Sequence, residues 1–317
     1  MIDRTNDVIV VNKLCKAYGA QDVLRGIDLT VRRGEVFGLL GPNGAGKTTT
    51  LETIVGLRRP TSGAVTVLGF DPAKDRREIT QRMAVQPQAA ALFPTLTVWE
   101  TIQLFASFYT APREAADILR EVGLEQARRV RVKHLSGGQE RRLLIGIALI
   151  GNPEILVLDE PSAGLDPSAR RNLWDIIERQ REQGGTVLLS THHMDEATQV
   201  CDRLAIIVDG RVAAEGEPED LIREYSATAT VTFTVPRPMT SADLAEFGLV
   251  GNITTTRIGV ETHARVVTDD PDTIIRRITF SPRLGAHNYR VQRGSLEDVF
   301  LDISNSNPST TSSTGRP

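Results

Sequence analysis

The sequence predicts an α/β fold, and three short apolar runs carry that prediction. Val36-Phe37-Gly38-Leu39-Leu40 leads into Gly41-Pro42-Asn43-Gly44-Ala45-Gly46-Lys47-Thr48. Ile155-Leu156-Val157-Leu158 leads into Asp159-Glu160, and Thr186-Val187-Leu188-Leu189-Ser190 into Thr191-His192-His193. Such runs suit central parallel strands buried on both faces. Each breaks off at residues able to do chemistry, and open α/β sheets bind ligands at the carboxyl ends of their strands. A shift of composition at Ser226 adds a second, smaller α+β domain over 226–303.

A chain of 317 residues holds one large domain and a small one, or two modest ones. The net charge of −3 argues against bulk electrostatic binding to nucleic acid, so no nucleic-acid partner is expected. Cys15 and Cys201 lie far apart without metal-type spacing, and a reduced, cytosolic chain is the simpler reading. The first seven residues are polar and carry no signal-peptide pattern. No stretch approaches the roughly 18 uninterrupted apolar residues of a membrane span. Even the most apolar region, Leu143 to Leu158, is broken by Asn152-Pro153-Glu154. A membrane role would therefore be peripheral or through a partner.

Taken in order, residues 8–18 and 23–31 read as strands, the first β-branched and the second alternating. Tyr18 ends the first, placed either for packing or for stacking on a base. Thr49 to Gly56 has helical composition, and Ala64 to Leu68 is a strand. The charged residues 71–82 suggest an exposed helix, and Met83-Ala84-Val85 a short strand before Gln86-Pro87-Gln88. Thr97 to Tyr109 reads as an amphipathic helix capped by Thr95 or Thr97, and 112–122 as a second helix opened by Pro112. Ser136 is a natural N-cap for an apolar helix running to Gly151, and Ser168 to Arg181 is another helix. Asp209-Gly210 joins two strands as a hairpin, and a helix over about 217–224 closes the large domain. Beyond it come a strand to Val235, a short helix capped by Ser241, strands over 252–258 and 262–268, a helix from Pro271 and a strand over Asn288 to Gln292. That β-α-β-β-α-β order is the ferredoxin-like pattern. Ser295 caps a last helix ending near Ile303, and 304–317 read as a disordered tail.

Gly41 to Thr48 fits G-x-x-x-x-G-K-[ST] with strand before and helix after, the context that makes it a phosphate-binding loop. Its glycines let backbone N–H groups approach phosphate oxygens, and the new helix adds its positive end. Lys47 would reach the β- and γ-phosphates, and the Thr48 hydroxyl would hold Mg²⁺. Asp159 suits Mg²⁺, directly or through water, and Glu160 suits a general base that aims water at the γ-phosphorus. One of the two histidines at 192 and 193 would contact the γ-phosphate. Leu135-Ser136-Gly137-Gly138-Gln139 bares backbone at a helix N-terminus, a second anion site or simply a glycine turn.

Together these motifs resemble the nucleotide-binding subunit of ATP-binding-cassette (ABC) transporters, over residues 8–225. The resemblance implies a P-loop ABC nucleotide-binding domain over 1–225, with an antiparallel β subdomain and a helical subdomain over about 89–150. It makes Gly41, Pro42, Asn43, Gly44, Ala45, Gly46, Lys47, Thr48 and Thr49 the Walker A cradle for ATP. Asp159 becomes the Walker B aspartate and Glu160 the catalytic carboxylate. Gln88 becomes the Q-loop glutamine at the metal site with Thr48 and Asp159, ahead of Gln86. Ser162-Ala163-Gly164-Leu165-Asp166 matches the D-loop, His192 the switch histidine and Tyr18 the adenine-stacking aromatic. Ser136, Gly137 and Gly138, with Gln139 beside them, would complete the γ-phosphate site of a second copy in a head-to-tail dimer. The resemblance further implies an integral membrane permease on a separate chain and a place on the cytoplasmic face of the cell membrane. The single cassette and the end Ser295-Leu296-Glu297-Asp298-Val299-Phe300-Leu301 look like the daunorubicin/doxorubicin resistance subfamily of drug exporters. The alternatives are a lipid or polysaccharide exporter and a soluble ATPase acting on the ribosome or nucleic acid.

Overall fold

The computed structural model describes residues 6–225, 229–292 and 294–306. The chain falls into two compact units that divide between Pro218 and Glu219. The first begins with strands β1 (Asp7–Tyr18), β2 (Gln21–Arg32) and β3 (Val36–Leu40). Helix α1 (Lys47–Ile54), β4 (Ser62–Val67), α2 (Arg76–Ile79) and β5 (Met83–Gln86) follow. Three helices come next, α3 (Val98–Ala106), α4 (Ala115–Glu121) and α5 (Gly137–Leu149). The unit closes with β6 (Ile155–Asp159), α6 (Pro167–Glu182), β7 (Thr186–Thr191), α7 (Met194–Val200), β8 (Arg203–Val208) and β9 (Arg211–Gly216). Helix α8 (Pro218–Tyr225) straddles the division, seven residues earlier than the boundary read from composition.

Six strands form the central sheet in the order β5-β6-β7-β3-β8-β9, parallel except for the β8–β9 hairpin. Every residue of β3, β6 and β7 is buried, as their unbroken apolar runs require. The three strands end in step: Leu40 lies opposite Thr191, and Asp159 opposite Ser190. That register carries the glycine loop, the two acids and His192 to one edge of the sheet. The hairpin turns at Asp209 (φ 48°) and Gly210 (φ 73°), the left-handed pair a type I′ turn needs.

A second sheet, β2-β1-β4, is antiparallel throughout. Its inward residues Ile9, Leu14, Ile27 and Val67 join Phe37, Leu39, Ile54 and Val157 in one core, all essentially unexposed. Burying each such side chain contributes about 1.5–3 kcal/mol, so α1 is fixed by the core on which it sits. Ile54 and Leu51 of α1 belong to this cluster, which anchors the phosphate loop at its helical end.

The second unit runs β10 (Ala229–Val235), α9 (Ser241–Glu246), β11 (Asn252–Ile258), β12 (Glu261–Thr268), α10 (Pro271–Thr279), β13 (His287–Gln292) and α11 (Leu296–Ser306). Its antiparallel sheet has the order β11-β12-β10-β13, the ferredoxin-like arrangement of a β-α-β-β-α-β chain. Val231, Phe233, Leu244, Val266, Ile274 and Ile278 form its own core.

Local capping moves several boundaries. Thr97, not Thr95, caps α3, because Glu100 lies three residues on and closes a capping box. Thr240, not Ser241, caps α9 for the same reason: its partner is Asp243, whereas three residues beyond Ser241 stands the apolar Leu244. The expected helix over 71–82 shrinks to α2, because Asp71 and Asp75 spend their carboxylates on loop amides. Helix α4 starts at Ala115 rather than at Pro112, since Glu114 keeps an extended backbone. The expected tail from 304 is corrected in part: α11 continues to Ser306, and 307–317 lie outside the described residues.

Candidate nucleotide site

The loop between β3 and α1 is shaped by its glycines. A Cβ on Gly41 would stand 2.3 Å from the Ile207 carbonyl oxygen, so only glycine fits beside β8. Gly44 (φ 83°) and Gly46 (φ 107°) adopt left-handed backbone, and Gly46 opens α1 without any side-chain cap. The first N–H groups of α1 therefore face the loop free of side-chain acceptors, as an anion site requires. Ala45, Gly46 and Lys47 are buried, whereas Pro42, Asn43 and Gly44 are exposed.

Lys47 folds back over this loop. Its Nζ donates to the carbonyl oxygens of Gly41 at 2.8 Å and Pro42 at 3.1 Å and lies 3.5 Å from Glu160 Oε1. Thr48 Oγ1 donates to Asp159 Oδ1 at 3.2 Å, and Thr49 uses its carbonyl to accept the Thr53 hydroxyl. A hydroxyl and a carboxylate brought together at the end of the sheet are hard oxygen donors, a set that fits Mg²⁺ rather than a soft metal. Few protein ligands are needed for an ion that keeps waters and phosphate oxygens. Accordingly, no cluster of three or more His, Cys, Asp or Glu ligands stands among the described residues.

Glu160 is the point of convergence. Its backbone is left-handed (φ 46°), uncommon for a residue with a side chain. Four bonds hold it there: its N–H donates to Ser190 O and Oγ at 3.1 and 3.0 Å, and its carbonyl accepts from Arg141 Nη2 at 2.9 Å and from Ala163 N–H at 3.2 Å. The carboxylate meets Gln88 Nε2 at 3.1 Å and His192 Nδ1 at 3.3 Å. The second of these contacts is misaligned for a hydrogen bond, which leaves the buried Nδ1 unpaired. Gln88 thus reaches the site from beyond β5. Gln86 stays fully buried in the strand, its amide turned to Pro87 O. The His193 ring lies tilted against that of His192, centres 4.1 Å apart, and burial, helped by its neighbour and by Arg170, lowers its pKa.

Two residues of this network were not singled out in the sequence. Ser190 donates to Asp159 Oδ1 as well as accepting from Glu160, and it ends a buried apolar run just as Asp159 does. Arg141 bridges α5 to two loops, giving Nη1 to Gln88 O at 2.8 Å and Nη2 to Glu160 O. Its signal was an arginine on the core stripe of α5, in helical register with Ile145 and Ala148. Burial lowers its pKa, while Asp159, Glu160 and Glu140 oppose that shift.

The remaining candidates stand apart. Tyr18 is 42% exposed, with Lys16 Nζ and Arg58 Cζ at 5.1 and 5.4 Å from its ring centre. Ser136 and Gln139 close a capping box on α5, bonding to each other rather than to the phosphate loop, and Ser136 and Gly137 are exposed. Gly138 is the second residue of the helix beside them, with room around it. Asp166 caps α6, accepting from Ser168 and Ala169 N–H groups at 2.9 Å.

A glycine phosphate loop, a lysine, a threonine–aspartate pair and a glutamate at the carboxyl edge of a parallel sheet define a P-loop ATPase. Comparison with known proteins narrows the class. A family model described as ABC transporter matches residues 24–163. The chain is similar to a Nod factor export ATP-binding protein I of Burkholderia orbicola (strain AU 1054). The two are 38% identical over 91% of this chain and 94% of the relative. It is also 38% identical to the linearmycin resistance ATP-binding protein LnrL of Bacillus subtilis (strain 168), over 69% of this chain and 72% of the relative. Among solved structures, an ATP-binding subunit of an ABC transporter aligns with TM-score 0.64 and 34% identity, over 69% of this chain and 93% of that one. A dimeric cassette in a post-hydrolysis state with ADP and Pi aligns with TM-score 0.61 and 28% identity, over 66% and 98%. The chain belongs to the ABC transporter family as an ATP-binding subunit, and it is an ATPase. Among the described residues no helix is long and apolar enough to cross a membrane.

Proposed function

We propose that this subunit powers an exporter of drugs or other hydrophobic compounds, at the cytoplasmic face of the cell membrane. It works as a head-to-tail dimer on an integral membrane permease supplied by another chain. The convergence of Lys47, Gln88 and His192 on the Glu160 carboxylate supports the hydrolytic part of this reading, and the exporter relatives support the transport part.

In this reading ATP lies along Gly41 to Thr49, with its adenine on Tyr18. Lys47 moves from Gly41 and Pro42 carbonyls to the phosphates, which offer it full charges instead of dipoles. Thr48, Asp159 and Gln88 hold Mg²⁺, which supplies charge neutralisation at the phosphates. Glu160, with its backbone pinned by Ser190 and Arg141, orients a water and takes its proton. His192 Nδ1, buried and unpaired, is placed to meet the γ-phosphate. The exposed Ser136 and Gly137, with the half-buried Gly138 and Gln139, complete the partner copy's site, with Asp166 at the same interface. Gln88 also lies a few residues before a groove lined by Phe93, Leu96, Glu100, Gln103 and Leu104, where the permease would dock.

Glu160→Gln tests the base. The variant should bind ATP, accumulate as an ATP-trapped dimer in size-exclusion chromatography and lose turnover by about three orders of magnitude, as loss of such a base does. Normal turnover would overturn the assignment. The relatives divide over cargo, one named for Nod factor export and one for linearmycin resistance. An exporter of lipid or polysaccharide stays as the alternative. Co-purification of the tagged chain from solubilised membranes would identify the permease. Recovery with ribosomes or nucleic acid instead would overturn the transport reading while leaving the ATPase site intact.

A further inference from the structure

Glu196 is a carboxylic residue with no exposed surface, placed in the first turn of α7. Its Oε2 accepts the Ser162 hydroxyl at 2.9 Å, and its Oε1 is buried without a hydrogen-bond partner. Ser162 is itself 1% exposed. A fully buried acid with one hydrogen bond and one empty oxygen is poor as a stabiliser, since an apolar side chain would avoid the desolvation cost. Its value must lie in what it orients.

The loop from Glu160 to Asp166 is what it holds. At the front, Glu160 is pinned by Ser190 and Arg141. At the rear, Asp166 is tied to the start of α6. Between them stand Pro161, Ser162, Ala163, Gly164 and Leu165, where Ser162 has the only polar side chain. Gly164 is left-handed (φ 74°), and within the span the backbone makes only the turn bonds Ala163 N–H to Glu160 O and Leu165 N–H to Ser162 O. Among the described residues the Ser162–Glu196 bond is therefore the one side-chain hydrogen bond from the middle of this loop to another element. That element is α7, which starts two residues after His192.

We infer that Glu196 is a positioning residue for hydrolysis. Acting through Ser162, it sets the loop that carries Glu160 and Asp166 in one frame with the strand end that carries His192. The inference rests on the roles proposed for Glu160 and His192 above. It needs no new chemistry: the bond only keeps the base and the histidine 3.3 Å apart and fixes where Asp166 faces the second copy. An error of about 1 Å in such a constellation costs on the order of 100-fold in rate.

The test is steady-state ATPase activity of the full-length chain, with kcat and KM measured for wild type, Ser162→Ala, Glu196→Gln, Glu196→Ala and the double alanine variant. Ser162→Ala and Glu196→Ala should each lower kcat about tenfold or more, while KM for ATP stays within about twofold, because the phosphate loop lies on other elements. Glu196→Gln keeps a carbonyl oxygen for the Ser162 hydroxyl and should restore kcat to within about threefold of wild type. The double variant should be no worse than the poorer single one. A Ser162→Ala variant with wild-type kcat overturns the inference, and so does a Glu196→Gln variant as slow as Glu196→Ala. Should Glu196→Ala fail to fold, Ser162→Ala and Glu196→Gln still decide. Glu160→Gln runs beside them. If it turns over normally, the site reading fails and takes this inference with it; if it is inactive while Ser162→Ala is normal, only the tie fails.

Discussion

Gly41 and Gly44 belong to the same loop and fail for different reasons when given a side chain. At Gly41 the new Cβ meets a backbone oxygen of β8 at 2.3 Å, and a strand in the middle of the sheet has little freedom to withdraw. At Gly44 the space is open and only the left-handed backbone (φ 83°) resists. Gly44→Ala should therefore cost about 1–2 kcal/mol of unfolding free energy. Gly41→Ala should cost about 2–4 kcal/mol, since overpacking adds backbone shifts. Urea denaturation of both variants checks the order, and equal losses would contradict it. The sequence made these glycines legible as a class, because the motif spacing identifies a phosphate loop. Which glycine is steric and which conformational depends on β8, more than 160 residues away in the chain, and no local pattern carries that. Arg141 makes the same point: its periodicity was visible, but its three carbonyl acceptors come from Pro87, Gln88 and Glu160.

Helix α6 joins the loop after Glu160 to the rest of the first unit, and its start depends on Asp166. The Ala169 N–H, followed by that of Ser168, holds the Asp166 carboxyl below the usual carboxylate range. The folded state thus binds its proton less tightly than the unfolded chain, whose aspartate titrates near about pH 4. The stabilisation is fully present above that value and is lost as pH falls through the lower folded pKa. Asp166→Asn keeps an oxygen for the two N–H groups but does not titrate. Its melting temperature should track wild type at pH 7 with a slightly lower value, and the gap should close as pH drops toward 3. A gap that widens on acidification would rule out the cap as its source. At this scale the strand ends were readable because a buried apolar run followed by acids or histidine has few other meanings. The order β5-β6-β7-β3-β8-β9 was not, since it places β3 between strands from the far half of the unit. Helix boundaries slipped wherever a side chain three residues on decided the cap, as at Thr240 and Asp243.

The two units divide where composition alone does not show it. Ser226 opens a threonine-rich alternation that reads as a new domain, yet all of α8 before it except Pro218 already belongs with the second unit. Helix α8 has one strongly apolar side, with Leu221 only 3% exposed, so the face that buries Leu221 must be supplied for the helix to persist. A fragment ending at Pro218 keeps the whole of the first unit, whereas one ending at Tyr225 adds α8, most of which falls in the second. Both retain every residue of the proposed site, and both should bind ATP. We propose that the second unit serves assembly with the membrane partner. The fragment ending at Pro218 should then melt in one transition, hydrolyse ATP with a KM close to that of the full chain, and bring down much less permease than the full chain on affinity purification from membranes. A fragment that brings the permease down as efficiently as the full chain would show that docking needs only the first unit. Exposed Phe93 at the groove after Gln88 would then be the place to substitute next, because Phe93→Asp should release the permease while leaving ATP turnover of the free subunit unchanged.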